Sequence, residues 1–182
     1  IIGSGPAGSI LSKELSDSGF KVALIDRAQN KRTSSINDFF CPYIDNCPKY
    51  YTPVFSNTLG GNSELWHSKV YLLSEDEIKK YNWNIDYKEF LNFSNILTKK
   101  FKINDELITK SQKINSFSKY IYSLRADFRN VFKFLKIDQS NNISLYKGYS
   151  PIKILLKDKI AESLIISNNK KKTKKIDFKK AI

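Results

Sequence analysis

Methionine does not occur among the 182 residues, and the chain opens Ile1-Ile2-Gly3. Two apolar residues ahead of a glycine turn fall short of a strand, which usually runs about 5–6 residues. The far end, from Ile176 to Ile182, stops in strand-like alternation with no turn or cap. The expectation is an incomplete fragment of a longer protein, interrupted within a strand at both ends. Cysteine occurs only at Cys41 and Cys47, and histidine only at His67. A structural zinc site needs four ligands and a disulfide framework needs more pairs, so neither is expected, and no metal. Reduced thiols and a cytoplasmic setting are the default. Apolar runs such as Val22–Ile25 and Leu164–Ile166 cover a few residues. A membrane span needs about 18, so none is expected. Arginine is scarce as well: only Arg27, Arg32, Arg125 and Arg129 among 31 basic residues. The formal charge of +13 raises nucleic acid or an anionic surface as a partner. Planar recognition of phosphates and bases favours arginine, however. The lysines are scattered, and the densest cluster, Lys170–Lys175, reads as a solvated hairpin tip. No nucleic-acid partner is expected.

Hydrophobic residues make up 41% and aromatics 13%, which is enough to bury a core. Residues 1–27 read as strand end, glycine turn, helix and strand. Ile10, Leu11 and Leu15 have helical spacing, and Ser18-Gly19 suits the left-handed end of that helix. Phe20–Asp26 is a compact apolar strand of the buried parallel kind. Residues 28–70 are irregular and polar but carry Phe39, Phe40, Tyr43, Tyr50, Tyr51 and Phe55, which argue against disorder. Residues 74–136 look largely helical. Ser74 to Glu77 forms a capping-box pattern, a second helix begins near Asp86, and a weaker periodicity runs over Phe117–Leu135. Residues 143–182 return to strand texture at Ile143–Tyr146, Ile152–Leu156, Ala161–Ser167 and Lys175–Ile182. Turn signals at Lys157–Lys159 and Asn168-Asn169 separate the last three. The fold class expected is α/β, with an antiparallel three-stranded appendage at its C-terminal end.

Gly3-Ser4-Gly5-Pro6-Ala7-Gly8 is a G-x-G-x-x-G that follows an apolar strand end and opens a helix, and the next strand ends in Asp26. That is the setting a dinucleotide fingerprint requires. Gly3 permits the tight turn, Gly5 lets a pyrophosphate approach the backbone, and Gly8 allows close packing of helix on strand. The helix N-terminus offers free N–H donors to the pyrophosphate, and Asp26, with Arg27 beside it, stands where ribose hydroxyls would be held. A second signal is Asn57-Thr58-Leu59-Gly60-Gly61-Asn62-Ser63-Glu64-Leu65-Trp66. Its paired glycines allow close approach of a bulky planar ligand or its phosphates.

Together these residues resemble the glucose-methanol-choline family of FAD-dependent oxidoreductases. Gly3–Gly8 with Asp26 is similar to its ADP-binding motif, and Thr58–Trp66 is similar to its second flavin motif. Tyr81–Phe90 resembles the family's tryptophan-led helix opening. The resemblance implies a Rossmann-like FAD-binding domain, with residues 1–27 and 143–182 as nucleotide-binding core and 28–142 as flavin loop and helical insertion. It implies FAD on Gly3, Ser4, Gly5, Pro6, Ala7, Gly8, Asp26 and Arg27, with its ring side near Gly60, Gly61, Asn62, Ser63 and Trp66. Members with covalent flavin carry a histidine where Leu65 stands, so a noncovalent flavin is implied. The adenine contact near the start of Ile152–Leu156 meets Pro151, which has no N–H to donate. The family's catalytic histidine lies beyond the matching segment, so no catalytic residue is expected here, and His67 reads as structural. The function implied is oxidation of an alcohol, such as a sugar or polyol, by hydride transfer to flavin. Two alternatives stay open: an NAD(P)H-linked flavoprotein with a second G-x-G-x-x-G elsewhere, and a basic module that binds nucleic acid or an anionic surface.

Overall fold

A computed structural model describes residues 1–29, 56–65, 69–71, 73–101, 123–126 and 128–179. The chain divides into two compact units, one made of Ile1–Leu65 with Asn130–Ile182 and the other of Trp66–Arg129.

In the first unit the glycine turn leads into helix α1 (Pro6–Asp17), with Gly5 as N-cap and proline in the first turn, where its missing N–H costs nothing. The helix ends at Ser18, and Gly19 turns left-handed at φ +86°. The Phe20 N–H reaches back to the Leu15 carbonyl at 2.9 Å, closing the helix end as a left-handed glycine allows. Ser9, Ser12 and Ser16 form the buried face, while Leu11 is exposed and Ile10 and Leu15 are half-buried. The reason is distance. A Cβ on Gly8 would fall 1.9 Å from the Gly3 carbonyl oxygen, so only small side chains fit under this helix. Two of the hydroxyls are satisfied, Ser9 Oγ donating to the Ser4 carbonyl at 2.7 Å and Ser16 Oγ pairing with Ser140 Oγ at 2.6 Å.

Strand β1 (Val22–Asp26) starts two residues after the expected Phe20. The remaining strands among the described residues are β2 (Lys69–Tyr71), β3 (Ser123–Arg125), β4 (Ile143–Lys147), β5 (Tyr149–Lys157), β6 (Ile160–Asn168) and β7 (Thr173–Asp177). β1 pairs in parallel with β4, Val22 opposite Ile143 and Asp26 opposite Lys147. Ile2 pairs in parallel with Ile25. β1 therefore runs between the N-terminal residues and β4, and the path from Ile2 through α1 to β1 is a strand–helix–strand crossover. Gly148, at φ +80°, turns β4 into β5.

β5, β6 and β7 form an antiparallel sheet in that order. This appendage is the one expected, with shifted limits: β5 begins at Tyr149 and contains Pro151, and β7 ends at Asp177. Pro151 is tolerated because β5 is an edge strand of its sheet and the register slips between Pro151 and Lys153. Ile25, Leu164, Ile166 and Ile176 are buried together, with Ala23, Tyr146, Tyr149 and Phe178 around them. One face of the meander thus covers β1. The lysines of the Lys170–Lys175 segment surround the β6–β7 turn, where Asn168 Oδ1 accepts the N–H groups of Lys170 and Lys172 at 3.0 Å each.

The short helix α4 (Val131–Phe134) is N-capped by Asn130 and followed by a 3-10 turn at Ile137–Gln139 that leads into β4. In the second unit Ser74 and Glu77 close both arms of a capping box at the start of α2 (Glu75–Lys80), and Asp86 caps α3 (Tyr87–Lys100). β2 and β3 pair antiparallel, Lys69 opposite Arg125. The helical periodicity expected over Phe117–Leu135 is corrected within the described residues: 123–125 are strand, and helix covers only Val131–Phe134. Among the described residues no helix is long and apolar enough to cross a membrane.

Candidate functional site

Gly3, at φ +91°, makes the turn that leaves the parallel strand position, and its N–H donates to the Ile25 carbonyl at 2.8 Å. Ser4 follows, fully buried. Its N–H donates to Asp26 Oδ2 at 2.5 Å, and the Ala28 N–H donates to Asp26 Oδ1 at 2.6 Å. The Asp26 carbonyl accepts from the Gly148 N–H at 2.7 Å. Asp26 thereby ties the glycine turn, its own strand end and the start of the meander to one point. Each carboxylate oxygen still has lone-pair capacity for a hydroxyl donor. A Cβ on Gly5 would meet nothing within 4 Å, so the direction its side chain would take at the start of α1 is open.

The second glycine loop lies against the first. Gly60 and Gly61 have φ of +92° and +55°, values at which an L side chain is strained. The Gly60 N–H donates to Ser4 Oγ at 3.1 Å, and a Cβ on Gly61 would sit 3.4 Å from Gly5 Cα. Ser63 Oγ donates to the Gly60 carbonyl at 2.6 Å and accepts the Val131 N–H at 3.3 Å. Asn62 Oδ1 accepts the Ser56 N–H at 3.0 Å, and the Gln29 N–H reaches the Asn57 carbonyl at 2.8 Å.

A cavity of about 300 Å³ opens where these loops meet the ends of the parallel strands. Of the residues expected from sequence, Gly3, Asp26, Arg27, Gly61 and Asn62 line it. Ser4 and Ser63 are brought to the same place but are buried, with their hydroxyls engaged inside the protein. Gly5 and Gly61 face each other, Gly8 packs on Gly3, Pro6 and Ala7 are exposed at the helix start, and Gly60 bridges the two loops. Trp66 lies outside the described residues, as do His67, Cys41 and Cys47.

The other wall is formed by Ser56, Asn57 and Thr58 on one side and Tyr149, Ser150 and Pro151 on the other. Asn57 and Thr58 open the second glycine motif and Pro151 stands where the adenine contact is expected, whereas sequence reasoning missed Ser56, Tyr149 and Ser150. It also missed Asn130, which is 7% exposed. Asn130 Nδ2 donates to the Leu59 carbonyl at 2.8 Å and to Glu64, and Asn130 Oδ1 accepts the Lys133 N–H at 3.1 Å. An Asn directly before Val131-Phe132 is a readable helix start. Its hold on a loop 71 residues away has no local signal.

The free donors at the start of α1, the open face of Gly5 and the carboxylate of Asp26 suit a nucleotide with its phosphates on the helix end. The tight glycine approach leaves backbone, not side chains, as the surface such a group would meet.

No protein-family model and no curated protein matches the sequence. Among solved structures, formate oxidase matches over 98% of this chain and 43% of its own, at 11% identity and a TM-score of 0.54. THI4 of Thermovibrio ammonificans matches over 91% of this chain and 45% of its own, at 13% identity and a TM-score of 0.44. A flavoprotein/dehydrogenase from Cytophaga hutchinsonii matches over 97% and 36%, at 11% identity and a TM-score of 0.38. The chain thus spans less than half the length of each. The α/β fold with its antiparallel meander is shared with formate oxidase.

Proposed function

We propose that this chain forms the FAD-binding part of an oxidoreductase of the glucose-methanol-choline type, acting on the CH–OH group of an alcohol such as a sugar or polyol. The observation that carries the reading is the bonding of the two glycine loops to each other at the carboxyl ends of the parallel strands. Ligands of open α/β sheets bind there. Formate oxidase, an oxidoreductase by name, shares the fold and supports the redox reading.

The backbone of Gly3–Gly8 would take the pyrophosphate, Asp26 the ribose hydroxyls, and the wall at Tyr149–Pro151 the adenine. Pro151 offers no N–H to that base. The second loop, Gly60–Ser63 with Trp66 beyond it, would meet the ring side. FAD, when bound, supplies the acceptor for the two electrons and the hydrogen that leave the alcohol carbon. The proposal includes noncovalent flavin, because Leu65 cannot form the histidyl link, and a general base outside residues 1–182. It also includes a small-molecule substrate, no nucleic-acid partner and a cytoplasmic setting.

The test is made on the full-length protein. It should purify with a visible flavin spectrum, release that flavin into the supernatant on acid precipitation, and lose it when Gly5 is replaced by Val. Flavin retained in the acid pellet would overturn the noncovalent claim. A colourless protein that cannot be reconstituted with FAD would overturn the assignment.

A further inference from the structure

We propose that Asn130 is a positioning residue that holds the second glycine loop in its binding shape and so sets the affinity for FAD. The inference rests on the flavin reading above. Asn130 does not line the cavity, so any effect it has must pass through the loop.

Three fixings meet at Gly60. Its N–H is held by Ser4 Oγ, its carbonyl by Ser63 Oγ, and its open Cα face by the Asn130 amide, since a Cβ there would fall 2.4 Å from Asn130 Oδ1. Asn130 also holds the preceding residue through the Leu59 carbonyl and the following turn through Glu64. A Gly-Gly pair has the largest conformational freedom to lose. With the latch in place that loss is met on folding. Without it, binding must order the loop, and the apparent affinity falls by the fraction of molecules already in shape. The same side chain also caps α4, so the two roles have to be separated.

Asn130→Ser separates them. Serine is as good an N-cap and keeps an acceptor for the Lys133 N–H, but it is too short to reach the Leu59 carbonyl. Asn130→Ala loses both roles. Full-length apoprotein of the wild type and both variants is titrated with FAD by flavin fluorescence, and apoprotein melting is followed by circular dichroism. Losing one buried hydrogen bond corresponds to about tenfold in affinity. The expected result is FAD binding about tenfold weaker in Asn130→Ser and in Asn130→Ala alike, with the melting temperature lowered in both and further in the alanine variant, which also loses the helix cap. Wild-type affinity in Asn130→Ser would overturn the inference, leaving Asn130 as a helix cap.

Hydrogen exchange of the wild-type apoprotein gives a second decision that needs no variant to fold. The Gly60 and Gly61 amides should be protected; exchange at the rate of an unstructured chain would overturn the latch. If the wild type binds no FAD, the flavin reading fails, while the exchange measurement still decides whether the loop is held.

Discussion

Asp26 accepts two backbone N–H groups, from Ser4 and Ala28, before any ligand arrives. A charged acceptor makes each such bond worth about 1.5–3 kcal/mol. Asp26→Ala should therefore lower the stability of the apoprotein by a few kcal/mol as well as weaken nucleotide binding. Denaturant unfolding with and without FAD separates the two contributions. An unchanged apoprotein midpoint would show that the carboxylate acts on the ligand alone. Gly8 and Asn130 illustrate what a sequence can and cannot disclose. Gly8 stands in a spaced motif whose geometric reason is local, and the close contact with Gly3 follows from that motif. Asn130 binds a loop far away in the chain, and no spacing rule connects the two. The serine face of α1 was hidden for a related reason: burial there is decided by how near Gly8 lets the helix come, while apolar periodicity points to Ile10, Leu11 and Leu15.

The β5–β6 hairpin turns through Asp158 and Lys159, both left-handed at φ +50° and +66°, with Lys157 opposite Ile160. Two successive left-handed residues match the hairpin turn that favours Asn-Gly or Asp-Gly. A non-glycine residue in this region carries roughly 1–2 kcal/mol of steric cost. Lys159→Gly should stabilise the protein by about 1 kcal/mol, raising its denaturation midpoint with no change in slope. A lowered midpoint would mean that the Lys159 side chain makes a compensating contact. The existence of this hairpin was visible in Lys157-Asp158-Lys159, just as the helix starts were visible at Ser74 and Asp86. The element limits were less so. Residues 123–125 pair as a strand because a partner at 69–71 is present, and pairing between distant segments overrides a weak local period. β5 runs back to Tyr149 through a proline because edge position, unknown before the fold, relaxes the demand for an N–H.

Within the first unit, Glu64 and Asn130 are hydrogen-bonded to each other, with Lys133 3.8 Å from Glu64. The chain leaves that unit after Leu65 and rejoins it at Asn130, so its departure and return points are neighbours. Replacing residues 66–129 with a short Gly/Ser linker in the full-length protein should leave the first unit folded. Protection of the amides of β1, β4 and β6 against hydrogen exchange would check this. Loss of that protection would mean that the replaced stretch is needed to hold the core. The entropic penalty of closing a loop rises only with the logarithm of its length. A segment pinned at its ends in this way can be lengthened, shortened or exchanged over evolutionary time with little effect on what it is pinned to. Diversity between descendants of such a protein would then collect between Leu65 and Asn130, and the two glycine loops would be inherited together.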